Sequence, residues 1–415
     1  MPREPIRNVA VVGDGPAGST LAALLGRAGL RVAVFARGRP GALVVGESLV
    51  PGVIPILRTL GVEDQVRSYS TLKPGATFVV DPGQSFAIDF ESACSNIPGY
   101  AYNVPRDRFD ATLLTESERS GALVVRKAAR LERDGAERVR LSPETLADAG
   151  FEEQPDLIVD ASGRARVLPR LLELATQPGA RRDTALFSHC EAVPIDRAGH
   201  VHSDRLERGW CWRIPLPDRV SVGVVAPPDV LAARGATPEQ QFDAALQQEP
   251  YLKALAPGAR RVAPVVRYSN YQSTTLRGTG ANWALVGDAF GFIDPVFSSG
   301  LYLAMASAQR LARAILSRRP GALDGYARQH LRHLSNWREA IGYFYDGRFF
   351  ALLAMRDRTT QSRFGRIVNP YLSRRLPRVF TGEASDGRYD PWLLGVLAGA
   401  ARREPGVESL AIRDR

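Results

Sequence analysis

Three glycines near the start of the chain have the spacing of a phosphate-binding loop. Gly13, Gly15 and Gly18 follow the apolar run Asn8–Val12 and precede a segment of small and apolar residues. The first glycine permits a tight turn, the second lets the backbone approach a pyrophosphate, and the third allows close helix–strand packing. Free N–H groups at the helix start, around Ala17, would face the phosphates. The pattern predicts a dinucleotide cofactor bound to a βαβ unit.

The adenosine end of this unit departs from the usual pattern. An acidic side chain usually ends the second strand and binds the ribose, but this chain has Ala36 there, followed by Arg37. Another anion, Asp14, stands inside the glycine loop. Losing the charged hydrogen bond to the ribose costs about 1–2 kcal/mol. We therefore expect Arg37 to border the site and the cofactor to bind loosely.

One lysine is notable because lysines are rare in this chain. Lys73, Lys127 and Lys253 are the only lysines among 54 basic residues. A desolvated lysine amine can titrate and act as a nucleophile, whereas a guanidinium stays charged. Lys73, in the segment Lys-Pro-Gly-Ala-Thr-Phe, is therefore a candidate catalytic amine. The alternative is a surface lysine in a loop.

Two apolar segments far downstream end in motifs that contain aspartate. One is Asp160-Ala-Ser-Gly163, and the other is Gly287-Asp288. Gly287-Asp288 resembles the element that binds the ribityl chain in flavoproteins of the glutathione-reductase and aromatic-hydroxylase types, and this favours FAD over NAD. Asp160-Ala-Ser-Gly163 resembles the central strand-end motif of the same superfamily. The alternative role for Asp288 is a cap on the following helix.

The elements that must position these residues alternate between strands and helices. An amphipathic helix is predicted at about 299–317, and alternating segments at about 76–90 and 184–226 predict an antiparallel sheet. Short apolar runs predict buried strands at 8–12 and 31–35, and apolar strands with loop signatures at 157–163 and 283–289.

These elements predict an α/β fold with three parts. We expect a Rossmann-like FAD-binding module of the glutathione-reductase and aromatic-hydroxylase type, an inserted antiparallel β-sheet substrate region, and a helical C-terminal region. The cofactor module is discontinuous because its motifs lie at both ends of residues 10–300. The predicted boundaries are 1–75, 101–183 and 262–340 for this module, 76–100 and 184–261 for the sheet region, and 341–415 for the helical region.

Composition narrows the class of protein. The net charge is +10, but the basic residues are scattered without a block interleaved with aromatics, which argues against a nucleic-acid partner. No apolar run approaches the roughly 20 residues that span a bilayer. The three cysteines are widely spaced, so we expect a cytoplasmic protein without a disulfide framework. The histidine pairs at 200/202 and 330/333 lack a third ligand, and we expect no metal site.

Four further motifs give the resemblance to a specific family. With the glycine loop, they resemble the flavin-dependent halogenases, a branch of the aromatic-hydroxylase-like superfamily, over roughly residues 5–345. Trp-x-Trp alone is a common core pattern, so the combination carries the resemblance. The motifs are Gly46-Glu-Ser-Leu-Val-Pro51, Lys73-Pro-Gly-Ala-Thr-Phe78, Trp210-Cys-Trp-Arg-Ile-Pro215 and Gly291-Phe-Ile-Asp-Pro-Val-Phe-Ser-Ser-Gly300.

The resemblance implies halogenation with reduced FAD, O2 and chloride or bromide. Lys73 matches the family's essential lysine, which either hydrogen-bonds hypohalous acid or carries the halogen as a haloamine. Trp210 and Trp212 would form a wall between flavin and substrate. The halide would bind at Ser298, Ser299 and Gly300, whose segment begins a helix. Cofactor contacts are implied at Gly13, Gly15, Ala17, Gly18, Arg37, Glu47, Ser48, Arg106, Asp160, Gly163, Gly287, Asp288 and Pro295.

The substrate class follows from one departure. Phe297 stands where tryptophan-type halogenases have a glutamate before Ser-x-Gly. This resembles the branch that acts on phenols and pyrroles, whose electron-rich rings need less help from a base. Five aromatic residues are expected to line the substrate pocket, or else to form plain core: Tyr100, Tyr102, Phe344, Tyr345 and Phe349.

Two protein partners are implied. A compact C-terminal region is found in family members whose substrates arrive on an acyl or peptidyl carrier protein, and an acidic carrier would complement the net charge of +10. A free aromatic substrate is the alternative. No NAD(P)H site is evident in the sequence, so a separate flavin reductase would supply reduced FAD.

Three other functions share parts of this pattern. An NADPH-dependent aromatic hydroxylase or epoxidase has the same fold, but Lys73 and the paired tryptophans argue against it. A reductase of the geranylgeranyl type shares the glycine loop and the Gly-Glu-Ser element. A non-catalytic FAD-binding accessory protein is suggested by Ala36 and Asp14.

Overall fold

Five parallel strands form the sheet that carries the glycine loop. The computed structural model describes residues 5–38, 43–269, 272–359, 375, 377–402 and 406–413. The strands, in spatial order, are β19 (Trp283–Leu285), β10 (Leu157–Asp160), β1 (Asn8–Val12), β2 (Arg31–Phe35) and β7 (Leu123–Val125). Val12 pairs with both Phe35 and Asp160. The carboxyl ends of the three central strands therefore meet at one edge, where open α/β sheets bind their ligands.

Helices cover this sheet. The helix α1 (Pro16–Arg27) begins directly after the glycine loop with a proline in its first turn, where a missing N–H costs nothing. It packs against α5 (Arg106–Arg119) and α11 (Ser299–Ser317). The last of these has the bounds that the amphipathic pattern predicts.

A larger sheet of eight strands forms the second layer. One of its pairings is parallel, and the other pairings are antiparallel, as predicted. The strands are β16 (Arg260–Arg261), β12 (Thr184–Glu191), β15 (Val220–Ala226), β14 (Trp210–Pro215), β13 (Val201–Arg205), β4 (Gly75–Asp81) and β5 (Gln84–Asp89), with β17 (Val266–Ser269) also beside β12. The parallel pair is β13 with β4.

Three small sheets contain the remaining strands of the described residues. One pairs β3 (Thr71–Lys73) with β6 (Ala101–Asn103), and another pairs β8 (Leu131–Asp134) with β9 (Arg138–Leu141). The third contains β11 (Thr176–Pro178), β18 (Ser273–Thr275) and β20 (Gly291–Phe292).

The remaining helices lie between and beyond the sheets. The long α12 (Ala322–Tyr345) packs against α11, and α13 (Arg348–Thr359) and α14 (Tyr389–Ala401) pack against α12. The shorter helices are α2 (Ile54–Leu60), α3 (Glu63–Arg67), α4 (Phe90–Ala93), α6 (Pro143–Asp148), α7 (Val167–Leu171), α8 (Pro228–Ala232), α9 (Pro238–Gln248) and α10 (Pro250–Leu255). Short 3-10 helices span Pro51–Val53, Gly163–Ala165, Gly287–Ala289 and Val407–Leu410.

The hydrophobic core is divided between the two layers. One cluster fills the space around the parallel sheet and α1, and another joins the eight-stranded sheet to α11, α12 and α13. The predicted fold class, a Rossmann-like module with an added β-sheet region and C-terminal helices, is confirmed. The domain boundaries stay a prediction, and residues 360–374 of the predicted helical region lie outside the described residues.

Candidate cofactor and halogenation site

A cavity of about 960 Å³ lies at the carboxyl edge of the parallel sheet and extends to the eight-stranded sheet. This volume is near the upper end of the roughly 300–1,000 Å³ that small-molecule sites occupy. Most of the predicted site residues line it: Gly13, Gly15, Ala17, Arg37, Glu47, Ser48, Arg106, Gly163, Trp210, Trp212, Asp288, Pro295, Ser298 and Gly300. The other five predicted residues are not part of the cavity lining: Gly18, Lys73, Asp160, Gly287 and Ser299.

The glycine loop leaves room for a phosphate at one position only. A Cβ atom at Gly15 would meet nothing within 4 Å, whereas a Cβ at Gly18 would lie 2.0 Å from the carbonyl oxygen of Gly13. Gly13 has φ +118, and its Cβ would lie 2.4 Å from the carbonyl oxygen of Ala161. Gly13 and Gly18 therefore serve the turn and the packing, and Gly15 faces open space. These positions fit the pyrophosphate of FAD.

Two aspartates at strand ends have different environments. Asp160 is fully buried, and its carboxylate accepts the backbone N–H groups of Ser162 at 2.8 Å and Leu168 at 2.7 Å. It therefore shapes the turn whose next residues line the cavity. Asp288 lines the cavity itself, and desolvation raises its pKa to about 6, although Arg106 and Arg164 oppose the rise. Asp288 thus offers a polar oxygen to a ligand.

Arg106 holds the Gly-Glu-Ser segment against the cavity. Its guanidinium donates to both carboxylate oxygens of Asp110 at 2.9 Å and to the carbonyl oxygen of Val45 at 2.5 Å. Gly46 has φ +95, a conformation that favours glycine. The segment therefore turns sharply just before Glu47.

Sequence reasoning missed the partner of Glu47. His189, on β12, lines the same cavity, and its Nε2 lies 2.8 Å from Oε1 of Glu47. The other carboxylate oxygen of Glu47 is buried and has no hydrogen-bond partner among the described residues. The strand of His189 also contains Thr184, Ser188 and Glu191, so the local sequence carried no distinct signal for it. The pair is separated by 142 residues.

Lys73 ends the strand β3 and is only 2% exposed. Its Nζ donates to the carbonyl oxygen of Leu49 at 2.9 Å and lies 5.3 Å from the centre of the Phe90 ring. Desolvation lowers the pKa of the amine to about 7. The surface-loop alternative for Lys73 is therefore wrong. Leu49 directly follows the cavity-lining pair Glu47 and Ser48, so the amine lies next to the segment that bounds the cavity.

The two tryptophans of the Trp-x-Trp motif are neighbours on β14, with ring centres 5.8 Å apart. Trp210 is 1% exposed, and its indole N–H donates to the hydroxyl of Tyr345 at 3.0 Å. The indole N–H of Trp212 donates to Ser221 at 3.3 Å. Both rings line the cavity. Trp210 also packs edge-on against Phe344, at 5.8 Å between ring centres.

An aromatic cluster lies on the far side of Trp210. We define it as Phe78, Phe297, Phe344, Phe349 and Phe380, which are all buried and joined by ring contacts. The ring centres of Phe297 and Phe380 are 4.5 Å apart. Phe297, at the position where tryptophan-type enzymes have a glutamate, thus contacts four other phenylalanine rings.

The predicted pocket aromatics divide into two groups. Phe344 and Phe349 belong to the aromatic cluster, and Tyr345 bonds Trp210. Tyr100 and Tyr102 instead donate their hydroxyls to Glu63, at 2.6 and 3.3 Å. Glu63 is the first residue of α3. None of the five predicted pocket aromatics lines the cavity.

The segment before α11 has an unusual backbone. Ser298 has φ +56, which a serine adopts only when its surroundings enforce it. Ser299 follows as the first residue of the helix, is 1% exposed, and has a hydroxyl with no partner among the described residues. The N-terminal N–H groups of a 19-residue helix thus lie beside the cavity-lining Ser298 and Gly300.

Neither a membrane-spanning helix nor a metal-binding cluster is found in the described ranges. No helix there is long and apolar enough to cross a membrane. No three His, Cys, Asp or Glu side chains in that part of the chain come together in a way that could hold a metal ion.

Comparison with known proteins identifies the family. The family model described as tryptophan halogenase matches residues 8–98 and 84–349. A tryptophan 2-halogenase of Chondromyces crocatus is 30% identical over 358 residues, which cover 81% of this chain and 67% of that protein. A 1H-pyrrole-2-carbonyl-[peptidyl-carrier protein] chlorinase of Pseudomonas fluorescens is 26% identical, with 81% of this chain and 83% of that protein covered.

A solved structure agrees with these matches. The myxobacterial chondrochloren halogenase CndH, described as a new variant of FAD-dependent halogenases, has a TM-score of 0.73 and 30% identity. The similarity covers 82% of this chain and 83% of that one. The glycine loop, Asp288 and the cavity between the two sheets fit the FAD on which these enzymes depend. The chain belongs to the flavin-dependent halogenases, within the family described as tryptophan halogenase.

Proposed function

We propose that this enzyme halogenates an electron-rich aromatic ring, phenolic or pyrrolic, and that Lys73 passes the halogen to it. The observation that carries this proposal is the environment of Lys73. Its amine is buried beside the segment Glu47–Leu49, and its pKa is lowered to about 7. A substantial fraction of the side chain is therefore a neutral amine near neutral pH.

A neutral amine can accept a halogen and release water. When bound, reduced FAD supplies the electrons with which O2 and a halide yield hypohalous acid. The nitrogen lone pair of Lys73 then forms an N–X bond as the O–X bond breaks, and the displaced hydroxide takes a proton from the nitrogen to leave as water. Attack by a ring carbon on the halogen breaks the N–X bond, the nitrogen takes up a proton from solvent, and the ring loses its proton to solvent. The amine is regenerated.

The other site residues control where the halide and halogen go. Ser298, Ser299 and Gly300 would hold the halide, and support comes from the enforced backbone at Ser298 and the unpartnered hydroxyl of Ser299. Helix N-termini favour anions. Trp210 and Trp212 would exclude the substrate from the cofactor, because both rings line the cavity and Trp210 also contacts the aromatic cluster.

The cofactor contacts are part of the same proposal. Gly15, Ala17, Glu47, Ser48, Arg106, Gly163, Asp288 and Pro295 would contact FAD, since they line the cavity. Gly13, Gly18, Asp160 and Gly287 would shape the backbone around it. Arg37, also in the lining, would face the adenosine end.

Phe297 supports the substrate class. No carboxylate stands at this position, so the ring must lose its proton without a base there, which suits phenols and pyrroles. The 26% identical relative acts on a pyrrole held by a peptidyl carrier protein. We therefore propose two alternative substrates, a pyrrole bound to a carrier protein and a free phenol. We also propose that a separate flavin reductase supplies reduced FAD and that the enzyme is cytoplasmic.

Product analysis tests the proposal. The enzyme is combined with a flavin reductase, NADH, FAD, O2 and either chloride or bromide, and offered monochlorodimedone, a phenol panel and a carrier-bound pyrrole carboxylate. We expect products heavier by one halogen in place of hydrogen. Hydroxylated products that form equally well without halide would identify a hydroxylase instead. Purified protein that never binds FAD would contradict a flavin-dependent enzyme altogether.

A further inference from the structure

A buried chain of hydrogen bonds begins at Trp210 and leaves the cavity wall. The indole N–H of Trp210 donates to the Tyr345 hydroxyl at 3.0 Å, and that hydroxyl donates to Oδ2 of Asp294 at 2.9 Å. The three residues are 1%, 8% and 1% exposed. They come from β14, the end of α12 and the loop before α11, so one chain of contacts joins three distant segments.

Asp294 has further donors on its other sides. The Gln272 side-chain amide donates to Oδ2 at 2.9 Å, and the backbone N–H of Val296 donates to Oδ1 at 3.1 Å. Three donors thus fix the carboxylate. A fixed carboxylate in turn fixes the Tyr345 hydroxyl, whose oxygen lone pair is then directed at Trp210.

Neither Tyr345 nor Asp294 lines the cavity, so neither would touch cofactor or substrate. They act on residues that do line it, which are Trp210 on one side and Pro295 and Val296 on the other. We propose that Asp294 and Tyr345 are positioning residues that hold Trp210 between the cavity and the aromatic cluster, so that halogen reaches Lys73 instead of escaping. The functional part of this inference rests on the proposed halogenation.

The charges around Asp294 add a dependence on pH. Desolvation raises the pKa of Asp294 to about 7, and Asp183 adds to the rise, while the hydrogen bonds from Val296, Tyr345 and Gln272 oppose it. Arg181 pairs with Asp183 and lies 4.2 Å over the Tyr345 ring. Protonation of Asp294 would replace an acceptor by a donor, and the chain to Trp210 would loosen. The hydrogen bonds that hold Trp210 in place should therefore weaken as the pH falls below about 7.

The test variant is Tyr345→Phe, which removes one oxygen and keeps the ring. The control is Tyr343→Phe, on the same helix, whose hydroxyl donates to Glu339 away from the cavity. The first measurement is the hydrogen-exchange rate of the Trp210 indole N–H by NMR, assigned through its loss in Trp210→Phe. We expect exchange about fivefold faster in Tyr345→Phe and unchanged in the control.

The second measurement is coupling, the halogenated product formed per reduced FAD consumed. We expect it to fall at least about twofold in Tyr345→Phe and in Asp294→Asn, with FAD affinity unchanged. In the wild type the Trp210 indole resonance should shift as the pH crosses about 7, and in Asp294→Asn it should not.

Each possible result either supports or contradicts the positioning role of Tyr345 and Asp294. Equal exchange rates in Tyr345→Phe and Tyr343→Phe would contradict the positioning role, as would faster exchange with unchanged coupling. The exchange measurement needs neither halide nor reductant. A wild-type enzyme that forms no halogenated product would therefore overturn the proposed function. The exchange rates would still decide whether the hydrogen bonds from Tyr345 and Asp294 fix Trp210.

Discussion

Lys73 and Leu49 are joined by a buried hydrogen bond of 2.9 Å between Nζ and the backbone carbonyl oxygen. This contact ties β3 to the segment whose preceding residues, Glu47 and Ser48, line the cofactor cavity. The amine contacts one carbonyl oxygen and the face of Phe90. Such surroundings stabilise an ammonium poorly, which is the physical reason for its lowered pKa.

The stability of the protein should depend on pH through Lys73. The pKa is 10.5 for an ordinary lysine and about 7 in the folded protein, so between these values the unfolded chain binds the proton and the folded one does not. Stability therefore rises with pH across this window. In Lys73→Met the rise should be smaller, as measured by urea unfolding at several pH values. Lys127→Met, which alters an exposed lysine, should keep the wild-type slope; equal slopes in all three proteins would contradict the assignment.

Two glycine substitutions should separate cofactor binding from folding. Gly15→Ala places a Cβ in open space at φ −69, which alanine tolerates, so the melting temperature should stay unchanged. The methyl group would occupy phosphate space, and we expect at least about tenfold weaker FAD binding, equivalent to about 1.4 kcal/mol. Fluorescence titration measures this.

Gly18→Ala should lower the stability of the fold, in contrast to Gly15→Ala. Its Cβ would lie 2.0 Å from the Gly13 carbonyl oxygen, so the helix must shift. We expect a loss of stability of about 1–3 kcal/mol. If Gly15→Ala bound FAD as tightly as the wild type, the phosphate would not sit at Gly15.

The carboxylate that usually binds the adenosine ribose, which is missing at Ala36, should be restorable by substitution. The backbone N–H of Ala36 donates to the Val125 carbonyl at 2.8 Å, which fixes the end of β2. Ala36→Glu should strengthen FAD binding by about 1–2 kcal/mol, or roughly 5–30-fold, through a charged hydrogen bond. Ala36→Gln is the matched neutral control and should gain less. An equal gain in both variants would mean that charge plays no part.

Local patterns in the sequence predicted the cofactor module well. The spacing of Gly13, Gly15 and Gly18 and the apolar runs around them depend on neighbouring residues, so periodicity and turn chemistry were sufficient. The identity of Lys73 came from its motif. Its burial and its bond to Leu49 could not be predicted, because they depend on how distant strands pack.

The dependence on packing between distant segments also explains which contacts the sequence did not predict. Glu47 and His189 are 142 residues apart, and Trp210 and Tyr345 are 135 apart. No periodic pattern links such pairs. Tyr100 and Tyr102 were grouped with the pocket because they are aromatic, but a carboxylate on α3 binds their hydroxyls. Sequence thus indicated residue types at the site, and tertiary packing determined their partners.

A lysine-to-arginine exchange should distinguish two roles of Lys73. A guanidinium stays protonated and can only hydrogen-bond hypohalous acid, whereas a neutral amine can also carry the halogen. We expect Lys73→Arg to lose halogenation as fully as Lys73→Ala does. Substantial activity in Lys73→Arg, measured as product mass under the same conditions, would favour the hydrogen-bonding role.

The most direct test of the account compares halogenated product with reduced FAD consumed in Lys73→Ala and Lys127→Ala. Lys127 is an exposed lysine that pairs with Asp148 at 2.7 Å, so its removal controls for the loss of an amine. We predict that Lys73→Ala binds FAD and consumes reduced FAD at the wild-type rate, while product falls by about 10²–10⁴-fold, and that Lys127→Ala matches the wild type. Normal halogenation by Lys73→Ala would contradict the central claim.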